Sequence, residues 1–497
     1  MKNCLTFFLA VAAFVEIFSQ TAADMSSVQF DKAEIERQLM YLASDELAGR
    51  RTTSEGGEKA AQYIAEQFKK YGVKPVPGHD SFFQQIPFDL SSPPTSAFVR
   101  LGDSGFTQGE NLLVFGGKAV DIKAQAIFAG HGWVDEEKGI DDYKGLEVKG
   151  KVVFVLPGNP TDEGRSALFK AMSVKKKIAA EKGAVGLVEL FRVNFPWRFF
   201  KNYFGKERLD MVMDEASSSG GDLFYAWLQE GAPSPITAIE NGEKTTVAIN
   251  SSGVGSKRLH AANVVGLVEG ADKKLKEEYV LLSAHYDHLG VGKQGGAAYT
   301  PQDSIFNGAR DNGMGTVALL SAAKSFAKNP PKRSVILLAC TGEEMGMLGS
   351  AYYAENPMAP LEKTVFNLNT DGAGYNSTEH ISIIGWGRTN TNDEVESAAK
   401  SIGLQVVKDP APEQDLYDRS DNISFARKGI PALDYAPGMP LMDEGIFKYY
   451  HQPADNPDSI DYDYLLRFCQ AYTLTARLIA DKAVKPAWTP GDKYEKP

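Results

Sequence analysis

A chain of 497 residues exceeds one compact core of ordinary size, so two or three domains are the prior expectation. Its 43% hydrophobic and 24% charged residues match a soluble globular protein, and a formal net charge of -11 argues against a general nucleic-acid binder, which carries a basic face. With Cys340 and Cys469 as the only cysteines after Cys4, a disulfide scaffold is excluded as the source of stability.

The chain opens with a targeting pattern. Lys2 precedes an apolar run over residues 5–18, and Thr21-Ala22-Ala23 offers small residues for cleavage. Residues 1–23 are therefore expected to be a cleaved signal peptide, with export to the periplasm or beyond. No later run reaches the roughly 20 apolar residues of a membrane span, so no stable membrane insertion is expected. Residues 31–44 predict a helix, with Asp31 and Glu34 forming a capping-box-like start and Ile35, Leu39 and Leu42 on one face. A second helix carries the stripe Ala60, Ala61, Ile64 and Phe68 and stops at Gly72.

From about residue 110 to 256 the texture changes to short β-rich runs, at 124–129, 151–156, 185–190 and 245–249, with a helix expected over 173–182. This segment predicts a β-rich inserted accessory domain. Within it, FRVNFPWRFFKNYF (191–204) interleaves aromatic and basic residues. Stacking on single-stranded nucleic acid or resting on a membrane would use such a patch; the favoured reading is a loop whose aromatics pack on the neighbouring domain, with a lid over substrate as a third.

After Asn263, strands and helices alternate. Strands are expected at 264–268, 279–284, 334–340, 364–369, 380–384 and 431–435, and helices at 313–326, 392–402 and 463–479. The fold class is α/β: a three-layer sandwich with a mostly parallel, mixed central sheet. It is built from residues 24–109 and 257–485, and 486–497 read as a loosely held tail.

Five ligand-type residues, His285, Asp311, Glu344, Asp371 and His451, each follow an apolar run or stand at a helix boundary. Imidazoles with carboxylates suit zinc. Five are too many for one catalytic ion, but fit two zinc ions about 3.5–4 Å apart sharing a carboxylate. Adjacent Glu343 and Glu344 point opposite ways on an extended backbone, so one can bind metal while the other acts as general base. Asp287 falls on the His285 side of its strand, where it can orient the imidazole. Singly each residue has a duller reading: His288 is read as structural, and Asp311 could merely cap its helix.

The segments AHYDHLG, NGARDNGMGT, CTGEEMG, NTDGAG and YHQPADNPD resemble the bacterial leucyl aminopeptidase-like family of co-catalytic zinc exopeptidases, whose relatives include glutamate carboxypeptidases and glutaminyl cyclases. The likeness runs from SDELAGR (44–50) to the final helix, and the 110–256 segment resembles a protease-associated domain. The resemblance implies that His285 and Asp371 hold one zinc, Glu344 and His451 the other, and Asp311 both. It makes Glu343 the general base and Asp287 its supporting acid. Asn369-Thr370-Asp371 fits the family's Asn-x-Asp, which selects Asp371 over Asn369. Arg310, Tyr417 and Asp421 are candidate substrate contacts; Asn422 stands where the family often has His. The activity implied is that of a di-zinc aminopeptidase acting on peptides with a free N-terminus. The alternatives are a glutaminyl cyclase or carboxypeptidase of the same fold, or a non-catalytic ectodomain.

Overall fold

The computed structural model describes residues 25–161, 165–213 and 222–496. The expected signal peptide lies outside them. The chain divides into two compact units, residues 1–86 with 260–497, and residues 87–259. Among the described residues no helix is long and apolar enough to cross a membrane.

The first unit is a mixed α/β sandwich. Its helices are α1 (Lys32–Leu42), α2 (Glu55–Tyr71), α3 (Met314–Lys328), α4 (Leu348–Glu355), α5 (Asn392–Ser401), α6 (Asn422–Ala426) and α7 (Tyr462–Asp481). Its strands include β1 (Gly255–Val268), β2 (Tyr279–His285), β3 (Ser334–Cys340), β4 (Thr364–Asn369), β5 (His380–Ile384), β6 (Gln405–Lys408) and β7 (Ala432–Pro437). These run side by side as β1-β3-β2-β4-β7-β5-β6. Strands β3, β2, β4 and β7 are mutually parallel, whereas β1 joins β3, and β5 joins β7, antiparallel.

Burial on both faces explains why β3 reads as the unbroken apolar run SVILLAC, every residue of which is buried. Successive side chains part to opposite sides. Val280, Leu282 and Ala284 join the core beneath α1, α2, α3, α5 and α7, while Leu281 and Cys340 join the one beneath α4 and α6. Cys340 and Cys469 are both buried and free, consistent with small hydrophobes.

At α1 the expected capping box does not form. Asp31 caps through Ala33 N, but Glu34 turns to Tyr71 and Lys324, two stronger claims on a carboxylate than a backbone amide. Helix α2 stops as predicted at Gly72, which takes φ 88°. The C-terminal segment is not a loose tail. Trp488 is buried and donates to Gly429 O at 2.9 Å, and Arg388 grips Asp492 through two hydrogen bonds of 2.7 and 2.8 Å.

In the second unit an eight-stranded sheet has four parallel members at its centre, Val120–Phe128, Val152–Val155, Gly186–Leu190 and Phe224–Leu228. The aromatic patch is not a loop packed on another domain. Trp197–Phe204 is a helix, and Phe191, Trp197 and Phe200 cluster with Trp227 in the unit's own core, with ring centroids 4.8–6.1 Å apart. These three rings are thus engaged within their own unit, whereas Phe195 of the same stretch is exposed.

The same core holds an ion pair with no exposed side-chain surface. Lys175 Nζ lies 2.8 Å from Glu189 Oε2 and donates to Leu156 O at 2.6 Å, while Tyr225 Oη donates to Glu189 Oε1 at 2.5 Å. Burial works against both charges, pushing Lys175 down and Glu189 up, so each depends on the other. Lys175→Ala is expected to cost roughly 3–5 kcal/mol, because it strands a buried carboxylate. Urea unfolding should show this loss, and a far smaller one for Lys175→Met combined with Glu189→Leu.

Candidate metal centre and active site

Parallel strands deliver the site. The loops leaving the carboxyl ends of β2, β3 and β4 carry His285, Glu343 with Glu344, and Asp371, the position at which open α/β sheets gather reactive groups. Asp311 precedes α3 on a turn anchored by the fully buried Arg50. That guanidinium donates to the carbonyls of Tyr286 and Gly308, both at 2.6 Å, and also to Asn307 O. Within this turn Gly308 has φ 60°, and a Cβ there would lie 2.5 Å from the His288 ring; only glycine lets the loop close over it.

Two clusters result, joined by one residue. His285 Nε2 lies 3.1 Å from Asp371 Oδ1 and 3.3 Å from Asp311 Oδ1. His451 Nε2 lies 3.2 Å from Asp311 Oδ2 and 3.2 Å from Glu344 Oε2. The two oxygens of Asp311 thus face different histidines. His451 holds a left-handed backbone, φ 56°, rare for such a side chain, and stacks on Tyr450 at 4.0 Å. Glu343 Oε2 stands 4.0 Å from His285 Nε2, beside the ring of ligand-type groups.

Asp287 is fully buried under His285. Its carboxylate accepts from Glu343 N at 3.2 Å and from Thr52 Oγ1 at 2.9 Å, and its backbone carbonyl is the close partner of His285 Nδ1 at 3.2 Å. It therefore fixes the backbone of Glu343 as well as the strand end that carries His285. His288, read as structural from the sequence, belongs to the second cluster in space. Its Nδ1 is 2.7 Å from Glu344 Oε1, though not in hydrogen-bond alignment, and both of its ring nitrogens lack a hydrogen-bond partner among the described residues. Nothing in its local spacing separates it from an ordinary strand-end histidine.

The electrostatics follow from burial against charge. Burial raises Glu343 well above the usual glutamate range; His285 opposes this, while Asp371, Glu344 and Asp421 add to it. Burial and Asp311 would raise Glu344 too, but His288 and His451 outweigh them and hold it at about 2. Burial opposes charge on His451, yet its hydrogen bonds to Asp311 and Glu344 lift it to about 10. So many carboxylates buried together need positive charge beyond their imidazoles. Nitrogen and oxygen donors in two overlapping sets, His285–Asp311–Asp371 and Asp311–Glu344 with His451 or His288, fit a pair of zinc ions.

This has a consequence for the metal-free protein. His451 is raised in the fold, so its contribution to stability is complete below the unfolded value near 6.5 and fades as pH climbs toward 10. Glu343, raised well above its ordinary range, acts in the same direction, since keeping its proton in the fold costs stability as pH rises above its unfolded value, whereas Asp421, raised to about 6, has its effect below that window. The chelated protein should therefore melt at progressively lower temperature between pH 6 and 9, with zinc reversing the trend. A melting temperature that rises over that range contradicts the assignment.

A cavity of about 310 Å³ opens beside the two clusters. Its lining includes Asp311, Glu343, Glu344, Asp371 and His451, then Met347, Ile384, Leu416, Met439 and Met442. The three candidate substrate contacts do not line it. Arg310 is buried, bonded to Asp455 at 3.1 Å and to Ser459, with its guanidinium 3.6 Å from the Tyr449 ring centroid. Tyr417 donates to Ala432 O at 2.9 Å and lies under Arg388. Asp421 is fully buried, both its oxygens without a hydrogen-bond partner among the described residues. In their place the lining holds Arg419, Ser420, Asp434 and Tyr450. Ser420 donates to Asp371 Oδ2 at 2.5 Å.

Residues 263–475 match the model of Peptidase family M28. Curated relatives include a vacuolar membrane protease of Botryotinia fuckeliana (strain B05.10), 26% identical over 296 residues that cover 56% of this chain and 27% of that protein. Another is aminopeptidase YwaD of Bacillus subtilis (strain 168), 24% identical over 230 residues that cover 45% of this chain and 46% of that one. The chain thus spans between about a quarter and a half of the length of these relatives. Among solved structures, an aminopeptidase from Aneurinibacillus sp. strain AM-1 superposes with a TM-score of 0.53 at 20% identity, over 95% of this chain and 98% of that one. At that identity the likeness establishes the shared α/β fold.

Proposed function

We propose that this chain is an exported metallo-aminopeptidase that uses two zinc ions to hydrolyse the N-terminal peptide bond of peptides. The observation that carries this reading is the split of Asp311 between two donor sets, one oxygen toward His285 and the other toward His451. The M28 match over 263–475 supports the peptidase class.

Bound between these sets, zinc supplies Lewis acidity toward the scissile carbonyl and a water acidic enough to attack near neutral pH. His285 and Asp371 would hold one ion and Glu344 and His451 the other, with Asp311 offering one oxygen to each set. Ser420 fixes Asp371 through its second oxygen. The Glu343 carboxylate accepts the proton of the attacking water and returns it to the leaving amine nitrogen. The methionine-rich wall of the cavity receives the first side chain of the substrate.

A panel of aminoacyl p-nitroanilides, assayed with and without chelator alongside a zinc count, tests the reading. Chelator-sensitive turnover with two zinc ions per chain is expected. Equal cleavage of N-acetylated substrates, or ammonia release from Gln-peptides with one zinc per chain, would overturn it. Export is checked by N-terminal sequencing of the mature protein, which should begin close to Asp24; retention of residues 1–23 contradicts it.

A further inference from the structure

The cavity beside the metal centre has an acidic floor under apolar walls. Strand register places it. In the parallel pair β4·β7, Asn369 stands opposite Asp434, and in the antiparallel pair β5·β7, Ile384 does. In the parallel pair β2·β4, Ser283 stands opposite Asn369, so His285 and Asp371 each lie two residues further toward the carboxyl ends. Asp434 therefore sits about 6–7 Å below the level of the metal ligands, at two residues of strand rise. Ile384, Asp434 and Ala436 share the face that lines the cavity.

Asp434 is buried, with 5% of the residue's surface exposed. Its Oδ1 accepts from Asn369 Nδ2 at 2.9 Å, and the same amide donates to Ser420 Oγ at 2.9 Å. Its Oδ2 has no hydrogen-bond donor among the described residues. The same cavity is lined by Met347, Leu416, Met439 and Met442. Arg419, the one arginine or lysine of the described lining, is exposed and forms no ion pair with Asp434.

Burial, with Asp371 and Asp421 adding to it, pushes the Asp434 carboxyl well above the usual carboxylate range, so its charged form needs a cation beside it. An apolar N-terminal side chain would bury it without a donor. A side chain with an apolar stem and a cationic tip satisfies both parts of this pocket, its methylenes against the methionines and its charge on the floor. The depth fits, since the four-carbon stem of lysine spans the descent from metal-ligand level to the floor.

Resting on the aminopeptidase reading, we infer that Asp434 is the specificity-determining residue of the pocket and selects substrates whose first residue is lysine or arginine. Asn369 holds the carboxyl in place and donates also to Ser420, which in turn donates to Asp371, so specificity and the ligand Asp371 share one hydrogen-bonded chain.

The test compares the zinc-loaded full-length protein with Asp434→Asn, which keeps an oxygen for Asn369 Nδ2 and so retains the fold. The ratio of kcat/KM for lysyl over leucyl p-nitroanilide is expected to fall about 10- to 100-fold in the variant, the scale of a lost charge-assisted contact. Calorimetric binding of free L-lysine and L-norleucine to Glu343→Gln protein, with and without Asp434→Asn, supplies a readout independent of turnover. Lysine should bind more tightly than norleucine only when Asp434 is present. A lysyl-to-leucyl ratio unchanged by Asp434→Asn, or equal binding of the two amino acids, overturns the inference. If no aminoacyl anilide is cleaved while the Asp434-dependent preference for lysine persists, the peptidase reading fails and the pocket assignment stands.

Discussion

Glu343→Gln should keep both zinc ions and lose roughly 10²–10⁴-fold in kcat, the usual share of a general base. The substitution is nearly isosteric, and Glu343 contributes to neither of the two donor sets, so the metal count and the melting temperature of the loaded protein should hold. What disappears is a carboxylate standing 4.0 Å from His285 Nε2, at the edge of the site, with its backbone amide pinned by Asp287. Asp287→Asn offers a contrast. It weakens the acceptor for the Glu343 amide and sits beneath His285, so it should reduce both turnover and zinc affinity, the latter about 10- to 100-fold as for other groups that orient a metal ligand. Unchanged turnover in Glu343→Gln would remove it from the mechanism.

Much of the α/β architecture could be read directly from the chain. Strands β3, β4 and β5 coincide with the expected 334–340, 364–369 and 380–384, because a strand buried on both faces is an unbroken apolar run with sharp polar ends. Helix α7 agrees within two residues, at 462–481 against 463–479, its stripe being long and periodic. Local pattern failed where distant partners decide. Glu34 left its capping role for Tyr71 and Lys324, and residues 197–204 of the aromatic patch became a helix whose rings pack with Phe191 and Trp227 within the same unit. The candidate ligands stood out because each closes a strand or opens a helix. Ser420, Asp434 and His288 did not, since their importance comes from register with Asn369, from contact with Asp371 and from closure of the Gly308 turn. For Arg310 the sequence left two readings, a substrate contact or pairing with a nearby acid, and the fold brings Asp455, 145 residues away, to it.

Asp311→Asn should be the most damaging single change at the metal centre. Its carboxylate is shared, with Oδ1 3.3 Å from His285 and Oδ2 3.2 Å from His451, so the change strikes both donor sets at once. An amide presents only one good oxygen and no negative charge, and neither set keeps a full complement of anionic donors. Zinc affinity should fall at both positions by more than the 10- to 100-fold expected for a group outside the ligand set, and activity should fall to background. Asp371→Asn and Glu344→Gln supply the comparison, for each touches one set: His285 loses Asp371 at 3.1 Å in the first, His451 loses Glu344 at 3.2 Å in the second. Competition titration with a chromogenic chelator should then find one tight zinc in each of these two variants and none in Asp311→Asn. Two tight ions retained by Asp311→Asn would mean that the two sets are independent and that the carboxylate between them bridges nothing.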